Sequence, residues 1–331
     1  MILAALSILA LSCGRNAAVE LLPVSSFETV ADGKEVSLYT LKGGDLTMQV
    51  TNFGGRVVSL WVPDKDGLYE DIVLGYNNID NYINNPGERF LGAVVGPYAN
   101  RIAGGTYTIG DETYNFPQNN NGQTLHGGLK GLDMIVWNVD NVCENSITLS
   151  VLCPDGHDGM PGNRTIIMTY TLTSDNEFKV EYSAMTDKAT HMNISHHSFF
   201  NLKGEGNGTI NDHVLYINAS KTTPVDALLI PTGEIADVTG TPFDFREPKA
   251  IGRDLGVEMS SLPMEPDMTT TGCLTARLPR KWSLLRLYMN RNPDAEWKYG
   301  QTSLPFSSMA EISLTEVQRA NMARLSTTVS Q

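Results

Sequence analysis

One segment of the chain alternates small or polar residues with apolar ones: Asn193-Ile194-Ser195-His196-His197-Ser198-Phe199-Phe200-Asn201-Leu202. This alternation predicts a β-strand with one polar face, because successive side chains of a strand point to opposite faces. His196 and His197 must then face opposite ways, so only one of the two rings can enter a given cavity. That ring is a candidate acid or base, since the ordinary pKa of histidine lies near neutral pH. A structural histidine bonded to a backbone carbonyl is the alternative.

Composition limits the size of the core and the classes of partner. The chain has 331 residues, of which 41% are hydrophobic, enough for one large β domain or two smaller ones. Its 37 acidic and 24 basic residues give a net charge of −13, which argues against nucleic acid and anionic membranes as partners. The cysteines show neither CxxC nor metal-ligand spacing, so neither a disulfide framework nor a metal site is predicted. These cysteines are Cys13, Cys143, Cys153 and Cys273.

Strand and turn signals dominate residues 30–253. Runs rich in β-branched and aromatic residues are bounded by turn formers such as Gly43-Gly44. We find no convincing amphipathic helix, internal repeat or linker in this span, and the sequence therefore predicts an all-β sandwich. The clearest strands are residues 36–41, 46–51 and 56–62.

Two hairpins are predicted from their turns. Gly110-Asp111 separates residues 106–109 from residues 112–115, which indicates a two-residue turn similar to type II′. Ser174-Asp175-Asn176 separates a second pair of strand-like runs, residues 164–173 and 177–185.

Three loops carry polar residues. Residues 96–105 place Asn100 and Arg101 between glycines that let the backbone approach a ligand, although a surface turn with a solvated arginine would look the same. Residues 119–128 place His126 at a strand end before two glycines, where an exposed histidine is the alternative. Residues 155–163 are so rich in turn formers that we expect a conformational role.

Five segments resemble, in this order, the motifs of the aldose 1-epimerase family, also called galactose mutarotases. The resemblance covers about residues 27–253. It implies an antiparallel β-supersandwich of the galactose mutarotase type, with an open groove for a sugar. The segments are Asn52-Phe53-Gly54-Gly55, Asn100-Arg101, Leu125-His126-Gly127-Gly128, Asp158-Gly159-Met160-Pro161-Gly162-Asn163 and residues 193–202.

The resemblance also implies roles for individual residues. His197 corresponds to the general acid of the family, and His126 to a second catalytic histidine that holds the sugar. Asn100 and Arg101 correspond to ligands of the sugar hydroxyls. The pocket lining beside the acid would include Ser198 and Phe199, while His196 would face away.

The implied reaction interconverts the α and β anomers of aldohexoses such as galactose and glucose. An acid delivers a proton to the ring oxygen while a base removes one from the anomeric hydroxyl, and the ring opens and recloses. No cofactor is required for this chemistry, and only the resemblance suggests calcium. We expect the partner to be a small aldose sugar and the protein to be a monomer.

Two other functions compete with this one. A non-catalytic sugar-binding sandwich on the same scaffold would bind galactose or glucose without speeding anomer exchange. A metal-dependent β-barrel enzyme would use His126, His196 and His197 as ligands, but neighbouring residues on a strand point to opposite faces and are poor co-ligands.

The character of the chain changes after residue 266. The β pattern stops, and residues 267–331 do not show the C-terminal glutamate that serves as the family's base. Translated one base earlier, plausible codons for residues 266–275 give Gly-Tyr-Asp-His-Asn-Trp-Leu-Leu-Asp, similar to a family motif, and residues 296–315 recover a strand in the same frame. We therefore expect a sandwich over residues 27–266 with its C-terminal part incomplete, a frameshifted tail over residues 267–331, and impaired activity. A genuine appended helical segment is the alternative.

The N-terminal segment resembles an export signal. Residues 2–11 form an apolar run too short to span a bilayer, and Ser12-Cys13-Gly14 follows. Cys13 resembles the lipidated cysteine of bacterial lipoproteins. We therefore expect residues 1–16 to be a signal, Cys13 to be a lipid anchor, and the protein to lie in the cell envelope or periplasm without a transmembrane segment. A cytoplasmic location is the alternative.

Overall fold

The computed structural model describes residues 18–85, 87–217 and 219–255. The expected signal over residues 1–16, the anchor at Cys13 and the tail over residues 267–331 lie outside the described residues. Within the described ranges, no helix is both long enough and apolar enough to cross a membrane.

The described residues form antiparallel β-structure, which confirms the all-β prediction. Single turns of 3₁₀ helix at Val24–Ser26, Ala103–Gly105, Leu132–Met134, His157–Gly159 and Ile251–Asp254 connect some of the strands. The strands are β1 Thr29–Ala31, β2 Lys34–Val36, β3 Leu38–Gly43, β4 Leu46–Thr51, β5 Arg56–Pro63, β6 Tyr69–Asp71, β7 Ala93–Val95, β8 Arg101–Ile102, β9 Thr106–Ile109, β10 Glu112–Asn115, β11 Thr124–Leu125, β12 Asn138–Val142, β13 Ser146–Cys153, β14 Arg164–Leu172, β15 Phe178–Thr186, β16 Ser195–His197, β17 Val214–Leu215, β18 Lys221–Thr222, β19 Ala236–Asp237 and β20 Lys249–Ala250.

Among the described residues one α-helix, α1 over Ile79–Asn84, interrupts the β-structure. The side chain of Asn78 caps its start by accepting a hydrogen bond from the backbone N–H of Asn81 at 3.0 Å, and Asn85 ends it in a left-handed conformation. The sequence showed no convincing amphipathic helix in this span, and this short helix was missed. With six residues, the helix is too short to show a period of 3.6, and its two asparagine caps were the available signal.

Two four-stranded sheets form the body of the fold, in the orders β3-β4-β5-β6 and β12-β13-β14-β15. Strand β14 alternates strictly between buried and half-buried residues, because one of its faces meets the core. Strand β4 is buried on both faces, with apolar side chains alternating with Thr47, Gln49 and Thr51.

A single apolar cluster joins these two sheets. It contains Met48, Val50 and Leu60 from the first sheet, and Leu149 and Met168 from the second. A second cluster lies on the other face of β5, where Val58 packs with residues such as Tyr82 and Phe199. The two sheets therefore form a sandwich, and additional layers of chain cover the outer face of the first sheet.

Both predicted hairpins are present. Ile109 lies opposite Glu112, so that Gly110-Asp111 forms the two-residue turn, and Gly110 has a positive φ of 60°. Asp111 has no positive φ, which fits the type II′ prediction. Strands β14 and β15 pair over their full lengths, from Arg164 opposite Thr186 to Leu172 opposite Phe178.

The predicted strand over residues 193–202 forms a ladder only at β16, which pairs with β7. Asn193 instead bridges to Tyr98, and Phe200 bridges to Val73. The segment changes partner twice within a few residues. Only three residues therefore form a ladder, although the alternation of a strand extends over the whole segment. Residues 36–41 are likewise divided at Ser37, whose backbone N–H donates to the side chain of Asn52 at 2.9 Å.

Gly92 joins strand β5 to the segment that carries the histidines. Its N–H donates to the carbonyl of His197 at 3.1 Å, and its carbonyl accepts from the N–H of Val57 at 2.9 Å. With a φ of 64° and the carbonyl of Val57 directly against its Cα, Gly92 has room for no side chain.

We expect Gly92→Ala to destabilise the fold by roughly 3 kcal/mol or more, because the new methyl group would overlap the carbonyl oxygen of Val57. The matched control is Gly104→Ala, at a similar φ of 60° with open space around it, which should cost only about 1 kcal/mol. Urea denaturation followed by tryptophan fluorescence measures both changes, and equal losses would contradict the steric argument.

Candidate active site

His197 and His126 meet edge to face. Their ring centroids are 5.0 Å apart with an interplanar angle of 82°, and both residues are about 97% buried, with 3% of their surface exposed. Nδ1 of His197 is buried and has no hydrogen-bond partner among the described residues. Buried polar atoms are nearly always satisfied in proteins, so an orphaned ring nitrogen beside a second histidine indicates a place for a ligand.

Asn100 and His126 hold each other through two hydrogen bonds. The N–H of Asn100 donates to Nδ1 of His126, and the N–H of His126 donates to the carbonyl of Asn100, both at 3.0 Å. Pairing of β8 with β11 brings them together, because Leu125 lies opposite Arg101. Since Nδ1 accepts a hydrogen bond, it cannot carry a proton, and the neutral His126 ring must carry its proton on Nε2.

Arg101 extends this polar group. Its Nη1 donates to the side-chain oxygen of Asn100 at 3.4 Å, and its Nε donates to the side-chain oxygen of Asn120 at 3.1 Å. Arg101 is half-buried, so its guanidinium lies at the boundary between the buried rings and solvent.

Aromatic rings surround the two histidines. Phe90 lies 4.6 Å from His126 and 5.7 Å from His197, measured between centroids, and Phe199 lies 5.0 Å from His197. Such edge and tilted contacts fix the planes of the imidazoles in an apolar environment.

His196 points away from this group, as the strand alternation predicts. Its Nδ1 lies 2.9 Å from the hydroxyl of Tyr170, and its Nε2 lies 2.6 Å from that of Ser198. Because the Tyr170 hydroxyl donates to the carbonyl of Gly55, it accepts from Nδ1–H of His196, and Nε2 then accepts from Ser198. Both nitrogens of His196 are satisfied, which leaves it no role as a metal ligand beside His126 and His197.

The backbone around the site is tied to a buried ion cluster. Arg56 and Asp133 have no exposed side-chain surface, and Nη2 of Arg56 lies 3.8 Å from the Asp133 carboxylate. Arg89 binds the same carboxylate through Nε at 2.7 Å and Nη2 at 3.0 Å. The Nη1 group of Arg56 donates to the carbonyls of Arg89 and Leu91, each at 2.9 Å.

Burial determines the charge of the rings. It lowers the pKa of His126 well below the ordinary value, with smaller contributions from His197, Arg101 and Arg89. It also lowers the pKa of His197 to about 4, although the residue's own backbone raises this pKa in part and the nearby Arg56 lowers it slightly. The pKa of His196 falls to about 3, helped by His197. All three rings are therefore neutral at pH 7.

The sequence-predicted residues fall into two groups. His126, His197, Asn100, Arg101 and Phe199 form one continuous set of contacts. Ser198 lies on the opposite face of the strand, with its hydroxyl bonded to His196.

Comparison with known proteins assigns the chain to a family. The family model described as aldose 1-epimerase matches residues 37–262 of the chain. The chain belongs to the aldose 1-epimerase family.

Relatives within the aldose 1-epimerase family match about two thirds of the chain. Galactose mutarotase from Bos taurus is 40% identical over 220 residues, which are 66% of this chain and 63% of the bovine protein. Aldose 1-epimerase from Escherichia coli K12 is 34% identical over 224 residues, 67% of this chain and 64% of that protein. The chain therefore spans less than two thirds of the length of these relatives.

Solved structures support the fold. The GalM/aldose epimerase homologue from C. elegans matches with a TM-score of 0.65 and 30% identity, covering 73% of this chain and 72% of that one. Galactose 1-epimerase from Lactobacillus acidophilus NCFM matches with a TM-score of 0.63 and 32% identity, covering 71% and 68%. The predicted galactose mutarotase-like sandwich is thus confirmed for the described residues.

Sequence reasoning missed Phe90 and the cluster of Arg56, Asp133 and Arg89. The available signal was charge within apolar sequence: Arg56 directly precedes Val57 and Val58, and Asp133 lies between Leu132 and Met134. No group of three or more His, Cys, Asp or Glu residues that could hold a metal ion occurs in the part of the chain that the structure describes.

We expect acid to destabilise this family member through its buried rings. Below about pH 6.5 these histidines bind protons in the unfolded chain, whereas in the folded protein they stay neutral. The free energy of unfolding therefore falls as the pH drops from about 6.5 towards 4 for His197 and towards 3 for His196. Above pH 6.5 these rings add no pH dependence. Thermal unfolding at pH 4.5 and 7.5 should show a smaller acid-induced loss in His197→Gln than in the parent, and an equal loss would contradict the assignment.

Proposed function

We propose that this protein is an aldose 1-epimerase that interconverts the α and β anomers of aldohexoses such as galactose and glucose. The observation that carries the proposal is the buried Nδ1 of His197, which has no hydrogen-bond partner among the described residues, on a ring whose centroid lies 5.0 Å from that of His126. The similar proteins support the same reaction, since they are a galactose mutarotase and an aldose 1-epimerase.

In the proposed reaction His197 is the general acid. It gives a proton to the ring oxygen of the sugar as a base removes the proton of the anomeric hydroxyl, and the bond between the ring oxygen and C1 breaks. The resulting aldehyde rotates about its bond to C2, and ring closure on the other face returns both protons. Because the pKa of His197 is about 4 in the sugar-free protein, the ring needs an oxygen acceptor in the bound state to favour its charged form.

His126 acts as a fixed hydrogen-bond donor. Nδ1 accepts from the N–H of Asn100, so the ring carries its proton on Nε2, and in the proposed reaction this N–H donates to a sugar oxygen. Asn100 and Arg101 bind hydroxyl groups, and Phe199 forms the apolar wall behind His197. Ser198 stays a predicted lining residue, and its bond to His196 leaves only the oxygen lone pairs for a ligand.

The reaction requires no cofactor, because proton transfer between sugar and side chains is sufficient. A bound calcium ion, a monomeric state, a lipid anchor at Cys13 and an envelope location remain predictions. The family's glutamate base is not assigned among the described residues, so the frameshift hypothesis bears directly on the rate.

Polarimetry on freshly dissolved α-D-galactose and α-D-glucose tests this function. We compare the chain, a version with the alternative frame restored after residue 266, and His197→Ala in each. The active form should exceed the buffer rate, and His197→Ala should lower kcat by about 10²- to 10⁴-fold, because the positioned acid is lost. The control is His191→Ala, which removes an exposed histidine outside the contact set.

Sugar binding without faster anomer exchange in the frame-restored protein would favour the non-catalytic sugar-binding alternative. A His197→Ala variant as fast as its parent would refute the assignment of the acid. Saturation-transfer NMR with the same two sugars measures binding independently of rate.

A further inference from the structure

We propose that Arg89 is a positioning residue for His126, and that the buried carboxylate of Asp133 holds the Arg89 guanidinium against the turn that follows His126. This inference rests on the function proposed above, in which His126 donates a hydrogen bond to the sugar. It assigns a role to a residue that the motif pattern did not indicate.

Arg89 connects the ion cluster to the turn. Besides its two bonds to Asp133, its Nη2 donates to the carbonyls of Gly128 at 3.1 Å and Leu129 at 3.2 Å. The carboxylate is fully buried, whereas 17% of the Arg89 side chain is exposed. A planar guanidinium held by two carboxylate oxygens has a fixed direction, so the two carbonyls are held at a fixed place.

The turn needs such support because its backbone is strained. His126, Gly127 and Gly128 have positive φ values of 53°, 89° and 92° in succession. A non-glycine residue in this region costs on the order of 1 kcal/mol or more and persists only where its surroundings hold it. His126 is held on one side by Asn100 and on the other by the carbonyls that Arg89 binds.

Phe90 links the Arg89 guanidinium to the ring of His126. The Arg89 guanidinium lies over the Phe90 ring at 5.1 Å, and the Phe90 ring meets His126 at 4.6 Å. Moving Arg89 would therefore disturb the His126 ring through its backbone and through its aromatic neighbour.

The charge of Arg89, like its hydrogen bonds, favours the neutral His126 ring that accepts from Asn100. His126 must stay neutral for Nδ1 to accept from Asn100. Among the described residues, the charged or titratable groups that act on it are His197, Arg101 and Arg89. Losing the Arg89 charge removes one cation near the ring and leaves Asp133 neutralised by Arg56 alone. Both changes favour protonation of His126.

Arg89→Lys and Arg89→Gln separate charge from geometry. Lysine keeps the charge but loses the two-pronged bond to Asp133, while glutamine loses both. The matched control is Arg246→Gln, which breaks an equally two-pronged pair with Asp244, at 2.8 Å and 2.6 Å, outside the site.

NMR of the histidine rings in the sugar-free protein is the first measurement. The parent should show His126 neutral with its proton on Nε2. Arg89→Gln should raise the pKa of His126 and broaden its signals, whereas Arg89→Lys should leave its titration near that of the parent. The second measurement is the mutarotation rate of the active form, where Arg89→Gln should lower kcat by about 10²-fold, Arg89→Lys by less, and Arg246→Gln not at all.

Parent-like ring signals and titration in Arg89→Gln would overturn the proposal. So would a loss of kcat matched by Arg246→Gln, because the effect would then be one of general stability. If no version of the protein speeds anomer exchange, the NMR result still decides the positioning role, and the two failures are distinguishable. Thermal unfolding identifies a variant that does not fold. If Arg89→Gln does not fold, a kcat of Arg89→Lys equal to that of the parent, with parent-like ring signals, would overturn the proposal.

Discussion

The pairing of two three-residue strands supports the whole site. Ala93–Val95 and Ser195–His197 form an antiparallel ladder in which His197 lies opposite Ala93. This ladder joins the histidine segment to the turn at Gly92 and, through Val57, to the large first sheet. Without it, the ring of His197 would have no fixed position relative to His126, which reaches the site from a separate ladder.

The sandwich could be predicted because its evidence is local. Alternation in residues 164–173 and the turn at Gly110-Asp111 each specify a structure that needs no distant partner, and both are present. The exchange of partners along residues 193–202 was not predictable, because it depends on which segments lie beside the strand. Helix α1 was missed for another reason, since its six residues are too few to show the helical repeat of apolar residues.

The site could be predicted where the type of a residue and its orientation on a strand indicate its chemical role. The opposite orientations of His196 and His197 follow from neighbouring positions on a strand, and the structure has them. The support around them could not be derived, because Arg56, Asp133 and Arg89 come from three distant segments and converge only in the fold. Their sequence signal, a charge inside an apolar run, indicates burial but names no partner.

The hydrogen bond from Asn100 to Nδ1 leaves His126 only Nε2 for exchanging a proton. An imidazole passes protons along a chain only when each nitrogen can release or accept one in turn, and here a backbone amide permanently occupies one of the two. A chain of proton transfers that reaches His126 therefore ends at this ring. In the proposed reaction, protons that move between the sugar and solvent therefore pass through other groups, and His126 only fixes where a sugar oxygen binds.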